Sequence, residues 1–219
     1  MHSEWKDKLA LLHSIFSDIE AIHFQGLVHR DLHSGNILQD NLYSAYIADL
    51  GLSVQYLKEQ KKGEVCGVLP YIAPEVLIGN PHTTKSDIYA LGIVMWEILY
   101  GMIVFCGKDH DIKLMREIFN GLRPFVNEEA PYCYVKLMEQ CWDKDPEKRP
   151  SAEEIREIFE KWQNDEKILK ELKESKPELE HGQQANIQTD TYTKSLRKSF
   201  PCIGSNETKQ DQSLLIVTC

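Results

Sequence analysis

The sequence predicts a mainly α fold with a small β-hairpin pair near its start. Three observations carry that expectation. Apolar residues recur at helical spacing through several separate windows. Capping residues stand in front of those windows. Two short apolar stretches flank a turn-forming Asp40-Asn41. At 219 residues the chain has room for one domain and a tail, or for two small domains. Its 42% hydrophobic content is enough for a real core.

Leu9, Leu12, Ile15, Phe16, Ile19 and Ile22 define a one-faced helix between Trp5 and Gln25, ended near Gly26. Ile37-Leu38 and Tyr43 to Ala48 then form the hairpin, with Asn36 at one end and Asp49 at the other. Gly51 to Glu75 is irregular and polar, with Lys58, Lys61 and Lys62 clustered, the pattern of a mobile segment. Thr83, Thr84 and Ser86 are cap candidates for an apolar helix, and Asp87 falls in its first turn, where the helix dipole favours an anion. Asp111 to Asn120 reads as a helix closed by Gly121, and Pro131 suits the start of another over Tyr134 to Trp142. Ser151 and Glu154 form a capping box ahead of the stripe Ile155, Ile158, Phe159, Trp162. Asp165 to Lys176 reads as a charged, marginal helix ended by Pro177, and from Glu178 onward the polar composition predicts disorder. The expected division is therefore a folded domain over 1–163 and a charged, then polar tail over 164–219. Leu214 to Val217 reads as a frayed end, and a cysteine in last place is not a prenylation signal.

Composition excludes several classes. A net charge of −9 argues against nucleic acid as the main partner, since phosphate binding needs a basic face. The six cysteines form no C-x-x-C pair, so neither a zinc site nor a redox motif is indicated. Scattered cysteines and no apolar leader predict an intracellular, cytoplasmic chain whose cysteines stay as thiols. Ile88 to Cys106 is nearly long enough to span a bilayer, but it contains Glu97, Gly92 and Gly101. A carboxylate at mid-span costs about 2.5–3.5 kcal/mol on the insertion scale, so the run reads as the buried axis of a globular domain rather than as a membrane span. The histidines show no ligand spacing, and His2, His82, His110 and His181 are expected at the surface.

The chemistry concentrates in His29-Arg30-Asp31-Leu32-His33-Ser34-Gly35-Asn36. Asp31 and Asn36, five apart with Gly35 between them, suit a tight loop that turns a carboxylate and a carboxamide toward one pocket. Asp49-Leu50-Gly51 follows, then Ala73-Pro74-Glu75. A lone H-R-D triplet means little. The ordered set H-R-D-L-x-x-x-N, D-L-G, A-P-E resembles the signature of a eukaryotic-type protein kinase of the Ser/Thr, tyrosine-kinase-like group, over roughly residues 5 to 162. Cys141-Trp142, Asp145-Pro146 and Arg149-Pro150 resemble the later helices of the same group.

The resemblance implies a kinase-like fold reduced to its large C-terminal lobe, with the β-rich N-terminal lobe missing: no G-x-G-x-x-G loop and no V-A-I-K-like strand precede His29. It implies transfer of the ATP γ-phosphate to a protein hydroxyl, with Asp31 as catalytic base and Asn36 and Asp49 holding Mg. Leu38 and Ala48 would line the adenine side of the pocket, or serve as plain core. Arg30 is either a structural ion-pair partner or the receiver of a phosphate on the mobile segment, which offers Ser53 and Tyr56 before Tyr71. Glu75 should pair with Arg149, and Asp87 should brace the H-R-D backbone.

Two positions depart from the Ser/Thr pattern. His33 stands where that pattern has a lysine, and Val68 where it has a threonine. An imidazole is only partly charged near pH 7, so weakened or retuned transfer is expected. The other function class that remains open is a catalytically inactive, pseudokinase-like lobe that binds other kinases or regulatory proteins.

Overall fold

The computed structural model describes residues 5–55 and 65–177. Tyr56, the three clustered lysines, and the tail from Glu178, including Leu214 to Val217, lie outside the described residues.

The chain opens with α1 (Trp5–Phe24), whose Leu9, Leu12, Ile15, Phe16 and Ile19 are buried as the periodicity requires. Gly26, at φ +71°, ends it in the left-handed region that glycine adopts without strain. Next come β1 (Leu27–Val28), the hairpin of β2 (Ile37–Asn41) and β3 (Ser44–Ile47), and β4 (Val54–Gln55). β2 and β3 pair antiparallel with Ile37 opposite Ile47 and Leu38 opposite Tyr46, while β1 pairs antiparallel with β4. The hairpin rests on α1, where the Ser14 hydroxyl donates to Ala45 O at 2.8 Å and Asp18 accepts from Ile47 N at 3.0 Å.

The helical body follows: α2 (Pro74–Leu77), α3 (Thr84–Tyr100), α4 (Ile112–Phe119), α5 (Tyr132–Cys141), α6 (Ala152–Asn164) and α7 (Glu166–Glu174). α3 is the apolar stretch that a hydropathy scan would flag. Thr83 and Ser86 cap it reciprocally, Gly101 closes it at φ +65°, and nearly every residue between is buried. It is the axis of the core. At Gly92 the reason for glycine is spatial, because a Cβ there would stand 2.9 Å from Cys141 Cβ on α5. Among the described residues no helix is long and apolar enough to cross a membrane. Ser151 and Glu154 form the expected capping box, with bonds of 2.7 and 3.2 Å.

α7 packs on this body through buried Leu169 and Leu172. Its Glu171 accepts from Cys133 N at the start of α5, at 3.1 Å, and Lys176 N donates to Glu129 O at 3.2 Å. Cys106, Cys133 and Cys141 are free thiols, whereas Cys66 is disulfide-bonded, contrary to the thiol expectation. His82 is also not a surface residue. It is only 4% exposed, because the turn into α3 folds it beneath the loop that carries Asp31.

Candidate active site

The H-R-D loop leaves β1 and is held from below by α3. Asp87, buried in the first turn of α3, accepts the backbone N–H of His29 at 2.8 Å and that of Arg30 at 3.0 Å, and it also meets His23 Nε2 at 2.9 Å. Arg30 adopts φ +77°, a conformation unfavourable for a side chain with a Cβ. The paired amide bonds to one carboxylate offset that strain. His29 acts from the other side. Its Nδ1 accepts the Asp31 N–H at 3.3 Å, so its Nε2 carries the proton that goes to Ala48 O at 3.0 Å. The loop and the end of β3 are thus joined through one imidazole.

Asp31 is 2% exposed. The Asn36 amide donates to Asp31 O at 2.8 Å and reaches Asp31 Oδ2 at 3.4 Å. Since Nδ2 is turned to Asp31, the carboxamide oxygen of Asn36 points elsewhere. The hairpin register then delivers the second carboxylate: Ala48 N donates to Asn36 O at 2.8 Å, and Asp49 follows directly. Asp49 is exposed, sits at φ +61°, and uses one oxygen to accept the Gly51 N–H at 3.2 Å. Its charge opposes the lowering of the His33 pKa. Leu38 is exposed on β2, and Ala48 is half-buried beside Asn36.

His33 is buried on this floor. Its Nδ1 accepts the Gly35 N–H at 3.1 Å, so in the neutral ring Nε2 carries the hydrogen, 3.9 Å from Asp31 Oδ2. That separation is too long for a direct bond. Burial pushes the imidazole below its ordinary pKa, Asp31 opposes this, His29 adds to it and Asp49 opposes it again. Arg30 donates through Nη2 to Cys66 Sγ at 3.3 Å, on the segment before Gly67.

Gly67, at φ +110°, lies against this loop. A Cβ there would stand 3.2 Å from Arg30 O and 3.5 Å from Asp31 Oδ1. Asp31 Oδ1 is fully buried and accepts no hydrogen bond from the described residues. Val68 offers it no hydroxyl.

Farther out, Arg149 binds Glu75 in a two-pronged pair at 2.7 and 2.8 Å, and donates to Asp143 O and Lys85 O. Tyr71 and Glu97 were not legible as part of the site. The Tyr71 hydroxyl donates to Glu97 Oε1 at 2.7 Å and lies 3.2 Å from Ser34 Oγ. The available signal was Glu97 itself, a single carboxylate in an apolar helix, which has to be met by donors from neighbouring segments.

The donor chemistry suits a hard cation only in part. Among the described residues no group of three or more His, Cys, Asp or Glu is gathered to hold a metal ion. One carboxamide oxygen and one exposed carboxylate fit magnesium that takes its other ligands from water and phosphate.

A small hairpin feeding an Asp–Asn loop onto a buried helical axis, with a two-pronged Glu–Arg pair behind it, has the form of a protein-kinase large lobe. The protein kinase domain model matches residues 3–162, and the chain belongs to the protein kinase family. It is 36% identical over 154 residues to a protein of Acanthamoeba polyphaga mimivirus named as a serine/threonine-protein kinase/receptor, covering 69% of this chain and 9% of the relative. Two Dictyostelium discoideum proteins named as serine/threonine-protein kinases are similar to it. One is 34% identical over 155 residues, 71% of this chain and 17% of the relative. The other is 37% identical over 134 residues, 61% of this chain and 10% of the relative. The chain thus spans less than a fifth of the length of these relatives.

Proposed function

We propose that this lobe serves transfer of the ATP γ-phosphate to a serine or threonine hydroxyl of a protein substrate. The observation that carries the proposal is the Asn36 bridge, which bonds to Asp31 through its side chain and to Ala48, next to Asp49, through its carbonyl. Asp31 takes up the proton of the attacking hydroxyl. The oxygen–phosphorus bond forms as the bond to the bridging oxygen of ADP breaks. Asn36 and Asp49 hold magnesium, which when bound neutralises charge on the phosphates. Leu38 and Ala48 offer an apolar floor to the adenine. The kinase names of the relatives support the serine/threonine assignment, and the fold supports the placement of the reacting groups.

His33 supplies a neutral N–H where a lysine would supply a charge, so transfer is slower than with a lysine while its geometry is retained. The test is magnesium-dependent phosphorylation of a generic protein substrate by this chain and by its Asp31→Asn variant. Activity lost by about 10³-fold or more in the variant, with an unchanged circular dichroism spectrum, supports the assignment. Equal turnover from the two proteins overturns it.

A second reading is a catalytically inactive lobe that binds kinases or other regulatory proteins. The exposed apolar side chains Leu38, Tyr46 and Leu50 around the hairpin favour it. Binding of a defined partner that survives neutralisation of both Asp31 and Asp49 separates it from the first reading.

A further inference from the structure

His33 is fixed on three sides, and two of them belong to its own loop. Gly35 N–H occupies Nδ1 at 3.1 Å. Asp31 Oδ2 faces Nε2 at 3.9 Å. The third side is the Tyr71 ring, whose centroid lies 5.9 Å from that of the imidazole at 53°, the tilted geometry in which aromatic pairs attract. Tyr71 is itself anchored: its hydroxyl donates to Glu97 Oε1 at 2.7 Å, and it shares a hydrogen bond with Ser34, the neighbour of His33. Glu97 is in turn held by the Val104 N–H at 2.9 Å on the same oxygen. A buried carboxylate on the central helix thus reaches the floor of the site through one phenol.

We propose that Glu97 and Tyr71 are positioning residues that hold His33 in its Nε2–H form, with that hydrogen aimed at the space between Asp31 and the transferred phosphate. The inference rests on the phosphotransfer reading above. A lysine reaches its target on a flexible stem and carries charge in every rotamer. An imidazole donates from one nitrogen in one direction, so it works only if its ring plane and tautomer are set from outside. The tautomer that this role needs agrees with the Gly35 N–H, which occupies Nδ1. The carboxylate at the far end is under pressures of its own. Burial raises the pKa of Glu97, and the bonds from Tyr71 and Val104 lower it again. Losing the Tyr71 hydroxyl therefore weakens both ends of the chain of contacts.

The proposal is tested in the chain by two measurements. In the first, the ¹⁵N resonances of the His33 ring at neutral pH report which nitrogen is protonated. The expected result is a single neutral form with the hydrogen on Nε2, and in Tyr71→Phe a movement of the two nitrogens toward each other as the second tautomer becomes populated. A hydrogen on Nδ1, a doubly protonated ring, or nitrogens unmoved by Tyr71→Phe overturns the proposal. In the second, Tyr71→Phe and Glu97→Gln are each made with His33 and with His33→Lys, and kcat and KM for phosphotransfer are compared. The expected result is a severalfold loss of kcat with little change in KM when His33 is present, and a smaller loss with lysine, which needs no tautomer. Equal losses in the two backgrounds assign Tyr71 and Glu97 a purely structural role and overturn the proposal. If Glu97→Gln does not fold, Tyr71→Phe, which removes one oxygen and keeps the ring, carries both measurements. Absence of transfer in every protein counts against the phosphotransfer reading, while the ring-nitrogen result still decides whether Tyr71 orients His33.

Discussion

The two sides of the candidate site are built by opposite rules. On the helical side, charged groups are buried and each is met by several donors or acceptors. Asp87 receives two backbone amides and His23, Arg149 reaches Glu75 and two carbonyls, and Glu97 receives Tyr71 and Val104. On the hairpin side, Asp49 is exposed with one oxygen bonded to Gly51, while Leu38 and Leu50 stand about half in solvent, at 55% and 49%. The difference separates two tasks. The helical side sets where Asp31 stands, and its cost of failure is the fold. Under the proposed function the hairpin side presents ligands and an apolar floor, and its cost of failure is binding. A substitution should therefore be read first by the side on which it falls.

The largest expected effect lies in the helical side. Arg149→Ala removes a guanidinium that has no contact with solvent and strands the Glu75 carboxylate beside Tyr89 and the start of α3. Breaking one partner of a buried pair costs about 3–5 kcal/mol, a large share of a domain's stability. Urea unfolding should show the midpoint falling with little change in slope. A loss under about 1 kcal/mol would mean that solvent relieves Glu75, contradicting the burial.

Asp87→Asn should come next. The carboxamide still accepts one backbone amide but presents an N–H₂ to the other, so the charge-assisted bonds to His29 and Arg30 are not both retained. The expected loss is about 1.5–3 kcal/mol, and with it the left-handed Arg30 relaxes and Asp31 shifts. Because the fold should survive, the effect is best measured as faster hydrogen exchange at His29 and Arg30. On the hairpin side, Asp49→Asn should leave stability within about 0.5 kcal/mol yet weaken magnesium-dependent nucleotide binding by an order of magnitude or more. A destabilised Asp49→Asn protein, or one that binds magnesium nucleotide normally, would erase the contrast between the two sides.

Legibility in the sequence cut across that divide and depended on whether the signal was local. The hairpin and the pairing of Asn36 with the end of β3 were readable, because two short apolar stretches around Asp40-Asn41 leave few other arrangements. α3 and the Ser151 capping box were readable from composition and spacing. The pairing of β1 with β4 was not, since a strand of two residues has no period to detect. His82 was misplaced at the surface because its burial comes from a turn folding under a distant loop, and nothing in its immediate neighbours announces that. The link from Glu97 through Tyr71 to Ser34 joins residues 26 and 37 positions apart, and only the packed fold brings them together.

The smallest effect is a dependence on pH that isolates His33 on the boundary between the two sides. In the unfolded chain its imidazole takes up a proton near pH 6.5, whereas in the folded chain burial holds that uptake to a lower pH. Between those two values the unfolded state binds more protons, so the contribution of this group to stability is present above about pH 6.5 and is lost as the pH falls. Other groups titrate in the same window, His110 among them, which burial also lowers. The wild type must therefore be compared with His33→Gln, which keeps an amide-sized polar group but does not titrate. From about pH 7.5 to about pH 5.5 the wild type should lose more stability than the variant. If the variant is the more acid-sensitive of the two, attraction by Asp31 and Asp49 outweighs burial and His33 is charged in the folded chain. It would then resemble the lysine it replaces, and transfer should gain little from His33→Lys.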